Sequence, residues 1–330
     1  MPVALKTGEV LRGRYRIHER IGQGGMGNIY LADDLRLEGR RCALKEVEHD
    51  RTVPAKLLKE ARQQFLREAT VLARMDHPNL PKVSDFFSIG ARDYLVMDYV
   101  PGKDLRAVML DAKQKNVFLN EEDVLAWATQ LADALTYLHS QTPPLVHRDV
   151  KPSNLKITPN GLLKLVDFGL VKALVPDEMT ITVIQGRGTA LYTPLEQYGG
   201  DSLHTDIRSD LYAFGCTLYH LLTNTPPVDA RQRFLNPESL ASPRSLNPDI
   251  SVRTERAILW AMELHPDDRP DSAEGFRQYL LGTRELPPWP QGQARPRGSI
   301  LDFFQGKTEQ ILLWVLAGLL VVSLIASLIP

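Results

Sequence analysis

Hydrophobic positions follow two different periods along this chain. Tyr15 and Ile17 precede a glycine cluster, Ile29 and Leu31 follow it, and their alternation with polar residues predicts two strands joined by a glycine-rich turn. The pattern predicts three further strands, over residues 41–47, 83–89 and 93–99. We therefore expect the early part of the chain to form a sheet.

From about residue 59 the period becomes that of a helix. Phe65, Ala69 and Leu72 recur at helical spacing up to residue 75, where His-Pro-Asn at 77–79 ends the element. Three more helices are predicted, over residues 121–140, 210–222 and 254–264. The expected fold is α+β with two lobes. A small β-rich N-lobe is expected over about residues 15–98, after an N-terminal extension at 1–14, and a larger helical C-lobe over about residues 101–282.

The far end of the chain has a different character. Residues 311–329 contain no charged residue, and a helix of this length spans roughly 28 Å at about 1.5 Å per residue, close to the ~30 Å hydrocarbon core of a bilayer. The run is apolar all round, whereas a buried helix docked on the domain, the alternative, normally keeps a polar face. We expect a C-terminal transmembrane helix.

The residues before that run predict how the domain is tethered. Residues 283–310 are rich in Pro, Gly and Arg and are predicted to be a juxtamembrane linker. Arg295, Arg297 and Lys307 place basic charge on the N-terminal side of the span, as on a cytoplasmic side. The first twenty residues lack the pattern of a secretory signal. We therefore expect a single-pass membrane protein with its folded domain on the cytoplasmic side.

Charge and cysteine content exclude some classes of function. With 39 Lys+Arg against 40 Asp+Glu, no overall field attracts nucleic acid, and no nucleic-acid partner is expected. Cys42 and Cys216 lie in apolar stretches, which predicts buried thiols in a reducing compartment rather than a disulfide framework or a metal–thiolate site.

The glycine cluster fits the pattern G-x-G-x-x-G-x-V, with Gly22, Gly24 and Gly27 in place and Ile29 at the last position. A dinucleotide-binding turn uses the same glycines but requires a helix after them, whereas residues 28–32 continue as an alternating strand. This context favours a loop that folds over nucleotide phosphates, where missing side chains let backbone N–H groups approach. A plain glycine-rich hairpin is the alternative.

Lys45 ends the stretch Cys-Ala-Leu-Lys, which is close to V-A-I-K. A lone lysine at a strand end is usually a solvated charge. Glu68, however, borders the apolar face of the helix predicted from residue 59. An ion pair between Lys45 and Glu68 would aim the ammonium at the α- and β-phosphates of a nucleotide.

Two short segments specify the chemistry most strongly. Residues 147–154 read His-Arg-Asp-Val-Lys-Pro-Ser-Asn, and residues 167–169 read Asp-Phe-Gly. So many polar identities in fixed register arise by chance very rarely. With the glycine-rich segment, they resemble the eukaryotic-type (Hanks-type) protein kinase family, in its bacterial Ser/Thr branch. The resemblance covers about residues 15 to 281 and implies the two-lobed protein kinase fold.

The resemblance implies a role for each of these residues. Asp149 would accept the proton of the substrate hydroxyl, and Lys151 would steady the phosphoryl group. Asn154 and Asp167 would hold two Mg²⁺ ions against the phosphates of ATP. Phosphoryl transfer depends on positioning and counter-charge, which these groups supply.

The resemblance also implies a nucleotide site between the lobes. Ile29 and Ala43 would line it with the three glycines and Lys45, while the backbone of Asp98 and Val100 would bind adenine. Asp104 would reach the ribose.

The acceptor follows from the same comparison. Lys151 in D-x-K-x-x-N and Thr189 after Gly188 resemble Ser/Thr kinases, so protein serine and threonine hydroxyls are the expected acceptors. A pseudokinase scaffold is the main alternative, although Lys45, Asp149 and Asp167 are all present. A small-molecule kinase of related fold is a third.

Some matches are structural, and two positions depart from the family pattern. Glu196 with Arg269 resembles the ion pair that holds the end of the activation segment, and Asp210 resembles the aspartate that anchors the catalytic loop. Residues 194–196 read Pro-Leu-Glu instead of A-P-E, which changes the turn. Lys156 replaces the apolar residue that commonly floors the adenine pocket, and we expect its alkyl stem to pack there while its ammonium reaches water.

Regulation is expected through Arg148, which directly precedes Asp149. The family implies that a phosphate on the activation segment, residues 167–196, neutralises this buried charge. Thr180 and Thr182 are the expected sites, unless they are merely solvated loop residues. Autophosphorylation is expected between the two chains of a homodimer that the membrane anchor brings together.

Overall fold

The structure is a computed structural model of the chain, and it describes residues 4–24, 27–48, 55–167, 172–173, 190–198 and 205–285. In this part of the chain, the first lobe is an antiparallel sheet with one helix. Its elements are β1 (Val10–Leu11), β2 (Tyr15–Gly24), β3 (Gly27–Asp34), β4 (Arg41–Glu48), α1 (Ala55–Ala73), β5 (Val83–Ile89) and β6 (Arg92–Asp98). The sheet order is β1-β2-β3-β4-β6-β5. The predicted strands and helix are confirmed, with small differences at their ends.

One face of this sheet is packed by aromatic and aliphatic side chains. The cluster consists of Leu11, Tyr15, Ile17, Tyr30, Ala32, Cys42, Leu44, Phe87, Tyr94 and Val96, with Leu5 packed against it. Tyr15 and Phe87 stack with ring centroids 5.6 Å apart. Ile21 has the same alternate spacing as Tyr15 and Ile17 but is 41% exposed, because β2 shifts register against β3 after Ile17 and again around Ile21.

The second lobe is mainly helical, as predicted. Its described helices are α2 (Leu105–Gln114), α3 (Glu121–His139), α4 (Ile207–Thr223), α5 (Ala230–Leu235), α6 (Pro243–Leu246), α7 (Val252–Ala261) and α8 (Ala273–Leu281). Its short strands are β7 (Lys103–Asp104), β8 (Leu145–Val146), β9 (Leu155–Ile157), β10 (Leu163–Leu165) and β11 (Lys172–Ala173). Sheet order is β10-β9-β7 in one group, while β11 pairs with β8. The sequence pattern did not predict α2, α5, α6, α8 or the short strands.

Local chemistry explains where the long helices begin. Asn120 accepts a hydrogen bond from Glu122 N–H at the start of α3, and Asp206 caps α4 through Arg208 N–H. The α4 helix is buried along almost its whole length, so it forms the centre of the lobe. A Cβ on Gly215 would lie 2.9 Å from Ala261 Cβ, so the glycine lets α4 and α7 approach closely.

Both cysteines are free and buried, in agreement with the sequence prediction. Burial raises the pKa of each thiol to about 12, which makes both unreactive. Among the described helices, none combines the length and apolar character needed to cross a bilayer. The predicted span at 311–329 and nearly all of its linker lie outside the described residues, so the membrane helix stays a prediction.

Candidate active site

A loop between β8 and β9 carries the predicted base, and a carboxylate in the core holds this loop. Asp210 of α4 is fully buried and accepts hydrogen bonds from the backbone N–H groups of His147 (2.8 Å) and Arg148 (2.7 Å). His139 Nε2 lies 2.9 Å from the same carboxylate. Burial tends to raise the pKa of Asp210, but the bond with His139 and the backbone donors hold it below its ordinary value. The predicted anchoring role of Asp210 agrees with this geometry.

The anchored backbone adopts a conformation that most residues avoid. Arg148 has φ of 66° and Asp167 has φ of 69°, both in the left-handed region. Such conformations persist only where surrounding contacts enforce them, and they are frequent at functional sites. The bonds to Asp210 supply that enforcement for Arg148.

Asp149 is held by two neighbours from its own loop. The Lys151 ammonium lies 2.8 Å from the Asp149 carboxylate. Asn154 Nδ2 donates to Asp149 Oδ2 (2.9 Å) and to the Asp149 carbonyl oxygen (2.8 Å). The structure thus brings together the predicted base and the predicted phosphoryl-contacting lysine, with the base already oriented.

Lys45 reaches across the cleft to Asp167. It lies on β4, in register with Ile29 of β3 and Leu95 of β6, and its ammonium hydrogen-bonds to Asp167 Oδ1. Burial favours the neutral acid at Asp167, but the positive charge of Lys45 outweighs it and holds the pKa of Asp167 below its ordinary value. Asp167 is therefore a carboxylate, as a metal ligand must be.

Asn154 and Asp167 suit Mg²⁺ that arrives with a nucleotide. The Asn154 amide nitrogen donates to Asp149, which leaves its oxygen as the metal-binding end. No cluster of three or more His, Cys, Asp or Glu residues that could cage a metal occurs in the part of the chain that the structure describes. This donor set fits Mg²⁺, which is usually held by one or two protein oxygens and the phosphates of its substrate.

Glu68 lies on α1, and the bond that the structure gives Lys45 is the one to Asp167. The charge of Glu68 acts on Arg148. Burial lowers the pKa of the Arg148 guanidinium, and the carboxylates of Asp210 and Glu68 oppose that shift. The Lys45–Glu68 pair stays a prediction.

The glycine-rich segment is a β-hairpin, with Gly22 opposite Ile29 and Gly24 opposite Gly27. Gly27 has φ of 147°, and a Cβ there would lie 1.9 Å from the Glu46 carbonyl oxygen, so only glycine fits. A strand follows the glycines, as expected for a phosphate-covering loop and unlike a dinucleotide-binding turn. Residues 25–26 lie outside the described part.

The segment joining the lobes contains the predicted adenine contacts. Ala43 pairs in register with Met97, the residue before Asp98. The Asp98 N–H donates to the Lys82 carbonyl at 2.9 Å, so the carbonyl is the Asp98 backbone group left for a base. Val100 is 7% exposed. Asp104 caps α2 by accepting from Ala107 N–H at 2.8 Å, which fixes the carboxylate predicted to reach the ribose.

Lys156 lies on β9 opposite Asp104 of β7. Its ammonium is 5.5 Å from the centre of the Tyr99 ring, within cation–π range, rather than directed freely into water. Burial lowers the pKa of this amine, and the Asp104 carboxylate opposes the shift.

The end of the activation segment is fastened by a buried ion pair, as predicted. Arg269 bonds Glu196 through two parallel contacts of 2.6 and 3.0 Å, and Ser209 Oγ donates to the same carboxylate. The departure at 194–196 is accommodated by a 3₁₀ turn at Leu195–Gln197. Phe168, Gly169, Thr180, Thr182 and Thr189 lie outside the described residues, so the predictions for them remain open.

Sequence reasoning did not identify every residue of the site. It missed His139, which supports Asp210, because nothing distinguishes that residue from others at the end of a helix. It also missed Glu46, which is buried on the far side of the sheet from Lys45. The sequence did contain a signal for Glu46. Neighbouring residues of a strand point to opposite faces of the sheet, so if Lys45 faces the cleft, Glu46 must face the packed side.

The chain is similar to known proteins over most of its length. The protein kinase domain matches residues 15–274. A probable serine/threonine-protein kinase of Clostridium acetobutylicum is 34% identical over 287 residues, covering 84% of this chain and 41% of that protein. The serine/threonine-protein kinase PknB of Mycobacterium leprae is 31% identical over 282 residues, covering 82% and 43%. The chain thus spans about two fifths of the length of these curated relatives.

The fold is also similar to that of a solved kinase domain. The crystal structure of the Mycobacterium tuberculosis PknI kinase domain matches with a TM-score of 0.64 at 28% identity, covering 85% of this chain and 100% of that one. The match extends over both lobes.

Proposed function

Because this chain belongs to the protein kinase family, we propose that it transfers the γ-phosphate of ATP to serine and threonine hydroxyls of proteins. The resemblance found in the sequence is confirmed by the domain match. The proposal rests above all on Asp149, whose carboxylate lies 2.8 Å from the Lys151 ammonium in an anchored loop. Relatives named as serine/threonine-protein kinases support the choice of acceptor.

Each group has a step that its geometry suits. The substrate hydroxyl oxygen attacks the γ-phosphorus, its proton passes to Asp149, and the bond to the bridging oxygen breaks to release ADP. Lys151 lies beside Asp149 and stabilises the charge on the transferring group. Mg²⁺ bound through Asn154 and Asp167 would neutralise charge on the phosphate oxygens. Lys45 places a second cation at the same end of the cleft.

An assay with MgATP and casein or a basic protein tests this function. Wild-type protein should transfer labelled phosphate to serine and threonine. Asp149→Asn should lower kcat by at least about 10²-fold and leave ATP binding nearly intact, because the amide keeps the shape but accepts no proton. ATP binding without transfer in the wild type would support a scaffold instead. Transfer only to small molecules would support a small-molecule kinase of related fold.

We also propose that the domain is tethered to a membrane through residues 311–329. The support is the uncharged apolar run with basic residues on its N-terminal side. Full-length protein should fractionate with membranes and resist alkaline carbonate, whereas a shortened protein ending at Arg284 should be soluble and active. Full-length protein found entirely in the soluble fraction contradicts the tether.

Finally, we propose that activation-segment phosphorylation regulates the enzyme. Arg148 is 6% exposed and directly precedes Asp149, so a phosphate on Thr180 or Thr182 would act next to the base. Tethering two chains to one membrane would raise their effective concentration for phosphorylation in trans. Mass spectrometry after incubation with MgATP should find phosphate on Thr180 or Thr182. A Thr180→Ala/Thr182→Ala double variant as active as wild type contradicts this regulation.

A further inference from the structure

The residue after Lys45 carries a buried carboxylate that phosphoryl transfer does not use. Successive residues of a strand point to opposite faces, so Lys45 faces the cleft and Glu46 faces the packed side of the sheet. Glu46 is only 1% exposed. A buried charge persists in a fold only where donors and a countercharge surround it.

Four donors surround the Glu46 carboxylate. Asn28 Nδ2 donates to Oε2 at 2.9 Å, and the Tyr30 hydroxyl reaches the same oxygen at 3.3 Å. Arg92 Nη1 donates to Oε1 at 2.9 Å, and the Tyr94 hydroxyl donates to it at 3.1 Å. These donors come from β3 on one side and β6 on the other, so Glu46 joins three strands.

The donor from β3 stands at the edge of the glycine-rich loop. Asn28 directly follows Gly27, the last glycine of the motif, and Gly27 is the residue whose missing Cβ lets the chain pass the Glu46 carbonyl. Arg20 Nη1 donates to Asn28 Oδ1 at 3.4 Å, which connects β2, the strand that enters the loop, to the same point. Ile29, one residue on, is in register with Lys45. The end of the loop therefore lies where the Glu46 backbone passes close to Gly27 and the Glu46 side chain binds Asn28.

We propose that Glu46 is a positioning residue: through Asn28 it fixes the end of the glycine-rich loop relative to Lys45, and so sets the affinity for nucleotide. This inference rests on the proposed use of ATP. It predicts that the Asn28–Glu46 bond matters for KM more than for kcat, because the bond lies away from the base and the acceptor. The bonds from Tyr94 and Arg92 hold Glu46 itself and do not touch the loop.

Exchanging the two polar groups tests the bond directly. Asn28→Asp places two carboxylates against each other, and at pH 8 it should raise KM for ATP at least about tenfold with kcat changed less than about threefold. Adding Glu46→Gln restores one amide and one carboxylate in reversed order, and it should bring KM back to within about threefold of wild type. Tyr94→Phe is the matched control, since it removes a bond to the same carboxylate on the side away from the loop, and KM should not change.

A second readout needs no catalysis. In nucleotide-free protein, hydrogen exchange at the amides of residues 27–31 should be faster in Asn28→Asp, return toward wild type in the exchanged pair and stay unchanged in Tyr94→Phe. The proposal is overturned if exchange in Asn28→Asp matches wild type, if the exchanged pair fails to recover, or if Tyr94→Phe loosens the loop equally. A wild-type protein that binds no MgATP would remove the proposed function, while the exchange data would still decide the role of Glu46 in holding the loop.

Discussion

The catalytic loop and the glycine-rich loop serve one reaction but are held in different ways. The catalytic loop is fastened to the core of the second lobe, where the buried carboxylate of Asp210 accepts the backbone N–H groups of His147 and Arg148. Backbone bonds to a buried charge leave little freedom. The position of Asp149 is thus part of the fold itself.

Among the residues that the structure describes, the glycine-rich loop is held where its strands leave the sheet. Ladder pairs from Gly22 and Gly24 to the opposite strand and the side-chain bond from Asn28 to Glu46 fix its base. The difference indicates that damage to the second lobe's loop should appear as lost stability, whereas damage to the first lobe's loop should appear as lost nucleotide affinity. A base needs one fixed position, but a phosphate cover must admit and release its ligand.

The largest effect is expected at Asp210. Asp210→Asn removes a buried charge and turns an amide group toward backbone donors, so the free energy of unfolding should fall by about 3 kcal/mol. Asp206→Asn is the matched control at the start of the same helix, where the side chain is 34% exposed, and it should cost less than about 1 kcal/mol. Urea unfolding measures both. Equal losses in the two variants would contradict the anchoring role of Asp210.

The second lobe should also show a specific pH dependence through His220 of α4. Nδ1 of His220 is 2.6 Å from the Tyr192 hydroxyl, and burial, with the positive charges of Lys113 and Arg106, lowers the pKa of His220 to about 4. Between about pH 6.5 and pH 4, His220 is protonated in the unfolded chain but neutral in the folded protein. The free energy of unfolding therefore falls as the pH falls.

From pH 7 to pH 5 this contribution is about 2 kcal/mol. His220→Gln should therefore lose about that much less stability over the interval than wild type, measured by urea unfolding at both values. His265→Gln, at a half-exposed histidine, should keep the wild-type dependence. An unchanged dependence in His220→Gln would rule out this histidine as its source.

In the first lobe, Gly27→Ala should affect the nucleotide more than the fold. The new Cβ would collide with the Glu46 carbonyl and displace the loop, raising KM for ATP about tenfold, or about 1.4 kcal/mol. Gly39→Ala is the control, because Gly39 also has positive φ (78°) but has open space around it, and its KM should match wild type. If Gly27→Ala instead unfolds the protein while Asp210→Asn does not, the contrast between the loops is wrong.

The sequence predicted the catalytic elements better than their supports. Motif residues such as Asp149 and Asp167 are specified by their own neighbours in the chain, and the strand at Val83–Ile89 by local alternation. Partners distant in sequence, such as Lys45 and Asp167 or Asn28 and Glu46, depend on strand register and lobe closure. The predicted Lys45–Glu68 pair is of this kind: it stays a prediction, while Lys45 bonds to Asp167.

The smallest effect concerns Lys156, where the two lobes meet. Its ammonium lies over the Tyr99 ring. A purine bound above β9 would remove water from the ammonium, and this desolvation costs free energy that an apolar side chain would not lose. Lys156→Met keeps the length of the stem and removes the charge, so KM for ATP should fall about threefold, or about 0.7 kcal/mol. Lys164→Met is the matched control, because Lys164 pairs with Lys156 across the strands but donates to the Leu80 carbonyl. Steady-state kinetics at varied ATP concentration measures KM in both variants. A KM that rises in Lys156→Met would mean that the ammonium binds the nucleotide. An equal fall of KM in both variants would mean that overall charge, and not the position of Lys156, sets the affinity.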